Sequence, residues 1–293
     1  MNTVVITGCS GGIGLEAALA FARAGDRVHA TMRDTARAGA LRSAAAAEQL
    51  DIPVHALDVT RPDTFAAFVQ DIVRSDGRID VLVNNAGVLP VGAFEDIDES
   101  GLRAAMECNF FGPALLTRSV LPQMRAQRSG CIVMISSLSG MAAKAGDAAY
   151  SASKFALEGL TEAMRHEVMR WNIRTALVHP AQYNTGMFRT TAQDAPGACG
   201  PESPYYPLIQ SQQRQLRAAL PKGRDPRILG ELLVRISRAE GNRFRWPADE
   251  VAERVAGKLF ALSDAERDRF LRDVAGVDWW IEGAAAPAGE IPA

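Results

Sequence analysis

The stretch that decides the fold is Val4-Val5-Ile6-Thr7-Gly8-Cys9-Ser10-Gly11-Gly12-Ile13-Gly14. A short β-branched run empties into a turn with glycine at positions 8, 11, 12 and 14, and Leu15-Glu16-Ala17-Ala18-Leu19 then continues with good helix formers. Glycine lets a backbone turn tightly and approach a ligand closely. The start of the following helix adds free N–H groups and the positive end of its dipole, which together suit a pyrophosphate. The spacing fits two patterns, GxxxGxG through Gly8, Gly12 and Gly14, and GxxGxxG through Gly8, Gly11 and Gly14. Ser10 and Ile13 lie in the same turn and count as candidate contacts.

The same rhythm runs outward from this unit. Strands are expected at Val4–Thr7, Arg27–Thr31, Val54–Leu57, Asp80–Val83, Cys131–Ile135 and Arg174–Val178, and helices at Gly12–Ala24, Asp34–Leu50, Pro62–Arg74, Glu99–Arg125 and Ala149–Trp171. Most of the strands are nearly continuous apolar runs, the pattern of strands covered on both faces of a parallel sheet. Alternation of strand and helix with right-handed crossovers gives one doubly wound α/β sheet with helices on both faces. Two sections break the rhythm. Residues 186–245 form a long proline-bearing connection with helical patches at Leu208–Leu220 and Pro226–Arg238, read as a helical substrate lid. Residues 283–293 read as a loose tail, which leaves 1–282 as one domain.

Composition narrows the function classes. The 293 residues carry 32 basic and 34 acidic side chains, a net charge of −2, so there is no nucleic-acid footprint. No apolar run approaches the roughly 20 residues of a membrane span, and the N-terminus lacks a signal-peptide pattern. Cys9, Cys108, Cys131 and Cys199 form no CxxC pair and no staple framework; they read as reduced thiols of a cytoplasmic protein, with no metal site.

The end of the second strand bears on the ligand. Dinucleotide sites selective for a free ribose 2′-hydroxyl place a carboxylate about 20 residues beyond the glycine turn. Here the place holds Thr31-Met32-Arg33. A guanidinium matches a 2′-phosphate through charge-assisted hydrogen bonds, which predicts NADP(H) over NAD(H). Asp34 is read as a helix cap. Further along, Tyr150 and Lys154 are spaced i, i+4 at the start of a helix and share one face. An ammonium beside a phenol favours the phenolate, and such a tyrosine can act as general acid or base. Ser136 and Ser137 end the fifth strand, with Ser137 thirteen residues before Tyr150.

With these pieces in order the chain resembles the classical short-chain dehydrogenases/reductases, and within them the 17β-hydroxysteroid and retinol dehydrogenase branch. The resemblance rests on Thr7–Gly14, Asp58, Asn84-Asn85-Ala86-Gly87, Asn109, Ser137, Tyr150 and Lys154, and it covers residues 1–185. It implies a Rossmann-type fold and hydride transfer between a nicotinamide and a hydrophobic ketone, aldehyde or alcohol. It also implies roles. Tyr150 exchanges the proton, Ser137 polarises the substrate oxygen, Lys154 tunes the tyrosine and binds the nicotinamide ribose, and Asn109 holds a relay water. Asp58 and Val59 contact the adenine, Asn85, Ala86 and Gly87 line the dinucleotide, and Pro180 and Thr185 flank the nicotinamide. The departure is Ala181, where the family usually has glycine. Residues 246–282 contain one family-like helix, Pro247–Leu262, and the usual final strand is not evident. Met187, Phe188, Tyr205, Tyr206 and Leu208 are expected to cover the substrate. The family implies a homodimer or homotetramer through helices 99–125 and 149–171. Competing readings are a non-catalytic NADP(H)-binding redox sensor and an epimerase or dehydratase that uses bound cofactor.

Overall fold

A computed structural model describes residues 1–187 and 199–287. The chain runs β1 (Thr3–Ile6), α1 (Gly12–Arg23), β2 (Arg27–Met32), α2 (Gly39–Ala47), β3 (Val54–Ala56), α3 (Phe65–Asp76), β4 (Val81–Asn84), α4 (Glu99–Met106), α5 (Gly112–Gln127), β5 (Gly130–Ile135), α6 (Ala148–Val168), β6 (Ile173–His179), α7 (Tyr206–Ala219), α8 (Pro226–Arg238), β7 (Arg245–Pro247), α9 (Glu250–Ala261) and α10 (Asp264–Ala275). The strands form one parallel sheet in the order β3-β2-β1-β4-β5-β6-β7.

Period-two alternation sorts each strand between two cores. Val4, Ile6, Val83, Val133 and Val178 face a core shared with α1 and α8, while Val5, Leu82, Ile132, Met134 and Leu177 face one shared with α3, α5 and α6. Both faces are thereby dry, which is why the strands read as continuous apolar runs. From β1 the chain winds out to β3, then returns across the sheet to β4. The carboxyl ends of β1 and β4 therefore diverge at the change of direction, the usual place for a ligand crevice.

Four expectations change. A seventh strand exists: Arg245-Trp246-Pro247 pairs with Leu177-Val178-His179 at the sheet edge. Three half-buried residues ending in proline carry almost no strand signal. Residues Pro226–Arg238, expected in the lid, form α8 and cover the sheet instead. Leu229, Leu233 and Ile236 are fully buried against α1, and Gly230 lies so close that a Cβ there would stand 2.7 Å from the Glu16 carbonyl oxygen. The expected helix Glu99–Arg125 is two helices joined by a π turn at Glu107–Phe111. The expected helix Asp34–Leu50 opens with a 3-10 turn, and Asp34 does cap it, accepting from the Ala36 N–H at 2.9 Å. Among the described residues no helix is long and apolar enough to cross a membrane.

Candidate active site

A cleft of about 1270 Å³ opens along the carboxyl ends of the strands, with the glycine turn at one end and Tyr150 at the other. Side-chain hydrogen bonds anchor the turn to β4. Thr7 Oγ1 accepts from the backbone N–H groups of Asn85 and Ala86 at 2.9 and 3.0 Å, and Asn85 Nδ2 donates to the Thr7 carbonyl at 2.8 Å. Neither residue needs to touch a ligand to do this, and the Thr7 tie was not foreseen from sequence. The turn also settles the glycine spacing. Gly12 has φ +55° with a Cβ position 3.0 Å from Thr185, and a Cβ on Gly14 would stand 2.3 Å from the Gly8 carbonyl oxygen. Gly11 meets nothing, so the protein itself demands GxxxGxG and leaves Gly11 open toward the cleft.

Ser10, Ile13, Arg33, Asp58 and Val59 all line the same end. Asp58 Oδ1 accepts from the N–H and hydroxyl of Thr60 at 2.9 and 2.8 Å, which fixes the carboxylate at the rim. Arg33 is exposed, and so is Arg37, which also lines the cleft and which sequence reading missed. Neither guanidinium has an ion-pair or hydrogen-bond partner among the described residues. Its signal was available: Arg37 lies four positions after Arg33, within reach of the same spot once the chain turns.

At the other end Tyr150 is 8% exposed, packed with Leu89, Val91 and Met187. Ser137 stands beside its phenol and opposes the rise of its pKa, and the Ser137 Oγ accepts from the Ser139 N–H at 3.1 Å. Lys154 Nζ stands 5.8 Å from the Tyr150 ring centre and donates to the Ile135 carbonyl at 2.8 Å. The expected electrostatics is reversed. Burial pushes the Tyr150 phenol up to about 12, with the Asp147 charge adding to the rise and Ser137 opposing it. Burial pulls the Lys154 ammonium down to about 8. Desolvation of each group, not the charge of an ammonium one turn away, sets these directions.

Asn109 is buried rather than on the cleft wall. Its Oδ1 accepts from the Val88 N–H at 2.8 Å, and its Nδ2 donates to the Val88 carbonyl at 2.9 Å and to Ser153 Oγ at 3.0 Å. The side chain expected to hold a water is thus committed to protein partners. The π turn shifts the helical register at this residue, a distortion that often marks functional segments.

Pro180, Thr185, Ala86 and Gly87 line the cleft as expected. Ala181 does so without strain, since the non-glycine residues at positive φ are Gln49, Arg128 and Asn172 among those described. The substrate wall differs from expectation. Met187 lines it, and Phe188 lies outside the described residues. Tyr205, Tyr206 and Leu208 pack away from the cleft. The tyrosines sit with Ala93 and Ile209, the Tyr205 hydroxyl donating to Glu95 at 2.7 Å, and Leu208 sits with Ala275 and Val277. Trp280 joins that last cluster and meets Trp279 edge to face, with ring centres 5.7 Å apart. The wall is supplied instead by Gln212 and Leu216 of α7 and by Phe270, Leu271 and Val274 of α10.

The fold is that of a dinucleotide-binding Rossmann-type protein. The family model described as short chain dehydrogenase matches residues 2–196. Retinol dehydrogenase 8 of Bos taurus is 41% identical over 183 residues, 61% of this chain and 58% of that protein, so the match spans little more than half the relative's length. A short-chain dehydrogenase from Streptomyces avermitilis superposes with a TM-score of 0.76 at 34% identity, over 94% of this chain and 98% of that one. A metagenomic short-chain oxidoreductase, solved in complex with NADP, superposes with a TM-score of 0.65 at 28% identity, over 84% and 95%. The chain belongs to the short-chain dehydrogenase family of oxidoreductases.

Proposed function

We propose that the protein is an NADP(H)-dependent oxidoreductase that interconverts a hydrophobic ketone or aldehyde with its alcohol. The observation that carries this is Tyr150 beside Ser137, with Lys154 behind it, on the wall of a cleft whose far end is the glycine turn. The residues present fit a nicotinamide dinucleotide. Gly11 faces the cleft with open space where a side chain would be, and Ser136 Oγ is a buried hydroxyl on the cleft wall with no protein partner. When bound, the dinucleotide supplies or accepts the hydride. The chain's own residues do the rest. The N–H groups of the glycine turn hold the phosphates, and Asp58 and Val59 border the adenine. Ser137 holds the substrate oxygen, Tyr150 moves the proton to or from that oxygen, and Lys154 meets the ribose. Asn109 acts as a positioning residue that ties the Val88 loop to α6. Leu89, Val91, Met187 and Leu216 present the apolar surface that suits a hydrophobic substrate. Purified protein given NADPH and a panel of aryl and alkyl ketones is expected to consume the reduced dinucleotide, read at its absorbance band. Silence across the panel rejects the reading.

Two guanidiniums at the end of β2, neither paired among the described residues, support a 2′-phosphate. Asp34 lines the cleft beside them, with its Oδ1 engaged as a cap. Arg33→Ala and Arg37→Ala are each expected to weaken NADPH binding roughly tenfold, the scale of one charge-assisted hydrogen bond, while moving NADH binding less than twofold. Titration of intrinsic fluorescence measures both. Equal losses for the two dinucleotides would remove the assignment.

The raised phenol sets a direction. With its ordinary value displaced to about 12, Tyr150 keeps its proton throughout the neutral range. Carbonyl reduction consumes that proton and finds it already in place. Alcohol oxidation needs the phenolate, whose fraction rises about tenfold per pH unit below the phenol's own value. The kcat/KM for oxidation is therefore expected to climb from pH 6 to 8 without a plateau, while that for reduction stays nearly level. A level oxidation profile over that range would show that Tyr150 is not the titrating base.

Two further parts of the reading are assembly and location. Phe111 in the π turn and Phe155 on α6 are both partly exposed, which supports a homodimer or homotetramer built on these helices; a cytoplasmic location is the accompanying proposal.

A further inference from the structure

Asp147 stands at the N-cap of α6, three residues before Tyr150. Aspartate is among the best capping residues, because its oxygens accept the free N–H groups of the first turn. This one caps nothing: its side chain makes no hydrogen bond to the helix start. It lies instead on the cleft wall, about nine-tenths buried. Both partners it has meet the same oxygen. Ser139 Oγ donates to Oδ2 at 3.3 Å, and Lys144 Nζ lies 3.6 Å from Oδ2. Oδ1 has no partner among the described residues. Burial pushes the carboxyl up from the usual carboxylate range in spite of both partners. The carboxylate forgoes the cap that its position offers, and Oδ1, without a protein donor among the described residues, is left beside an open cleft. The arrangement makes physical sense if a donor arrives with the substrate.

We propose that Asp147 selects the substrate, Oδ1 accepting a hydrogen bond from a hydroxyl carried close to the reacting carbonyl, so that apolar hydroxyketones are preferred. A hydroxyl suits the site better than an ammonium, because Lys144 already balances the carboxylate charge. The ketone end meets Ser137 and Tyr150, the hydroxyl meets Asp147, and the apolar remainder runs along Leu216, Phe270 and Val274. This rests on the oxidoreductase reading above.

The test compares acetophenone, 2-hydroxyacetophenone, 2-methoxyacetophenone and 2-aminoacetophenone with NADPH. The methoxy compound keeps the electronic effect of the oxygen but cannot donate. The native protein is expected to prefer the hydroxy over the methoxy compound by tenfold or more in kcat/KM, the scale of a hydrogen bond to a charged group. The preference is expected to fall severalfold in Asp147→Asn, which keeps the shape and a weaker acceptor, and to vanish in Asp147→Ala. If Asp147→Ala does not fold, the native preference and Asp147→Asn decide. Turnover of all four ketones without preference overturns this proposal and leaves the oxidoreductase reading standing. So does a preference that survives in the variants, or one that favours the amine. Turnover of none overturns both.

Discussion

Tyr150→Phe is expected to lower kcat for ketone reduction about a thousandfold, within the range associated with a positioned general acid and equivalent to about 4 kcal/mol of barrier. The substitution isolates the hydroxyl. The Tyr150 ring is buried against Leu89, Val91 and Met187, so a phenyl ring occupies the same space. What is removed is the hydroxyl that stands beside Ser137, and Ser137 Oγ still accepts from Ser139. The thermal midpoint is therefore expected to stay within about a degree, and NADPH affinity within about twofold, since the glycine turn and the β2 end are untouched. Steady-state rates, fluorescence titration and thermal unfolding of one preparation measure all three. A loss under tenfold in kcat would remove Tyr150 from the chemistry; a large loss together with a fallen midpoint would mean that the substitution disturbed the wall rather than the proton.

What could be read from sequence and what could not divides along a physical line. The glycine turn and the Tyr150–Lys154 pair are local: backbone conformation and i, i+4 spacing lie within eight residues of chain, so pattern and structure coincide. Ser137 was placed because a strand end is a place in the fold as well as in the sequence. Properties that depend on surroundings escaped. The i, i+4 lysine implied an acidic phenol, yet the dryness of the wall, which no spacing records, drives both groups toward their neutral forms. Asn109 sits in an unbroken helical pattern, and only the π turn and the approach of Val88 reveal where its amide is engaged.

The same line explains the lid. Residues 226–238 have a strong apolar face, but its period says only that it must be covered, not by what. Gly230 permits the close approach to α1, and that pairing lies about 215 residues away along the chain. Tyr205 and Tyr206 look like substrate contacts because they are aromatic and sit in a long connection, whereas the loop holding Ala93 and Glu95 takes them up. The helices that do wall the cleft include α10, beyond the reach of the family pattern.

Lys154→Met is expected to abolish turnover by two to three orders of magnitude and at the same time to stabilise the folded protein. Lys154 is 4% exposed, and its ammonium is displaced from an ordinary 10.5 to about 8 because burial penalises the charge. A base whose folded value lies below its unfolded value destabilises the fold wherever it is charged in both states. Here that is below pH 8. The penalty shrinks as pH rises from 8 to 10.5 and is gone above 10.5, where both states are neutral. A displacement of this size corresponds to about 3 kcal/mol; loss of the bond to the Ile135 carbonyl returns about 1 kcal/mol, leaving roughly 2 kcal/mol and a midpoint a few degrees higher. Methionine fills the same volume without a charge. Unfolding by denaturant at pH 7 and again near pH 10 checks the sign: the variant's advantage should be full at the first and mostly lost at the second. A variant less stable than the native protein at pH 7 would mean that the ammonium is not paying a desolvation cost in the fold. Its retention would then need no functional explanation. If the advantage appears as stated, the native protein holds an unfavourable charge at the one place where a nicotinamide ribose and a phenol would need it, and the loss of turnover in the same variant shows what that charge is for.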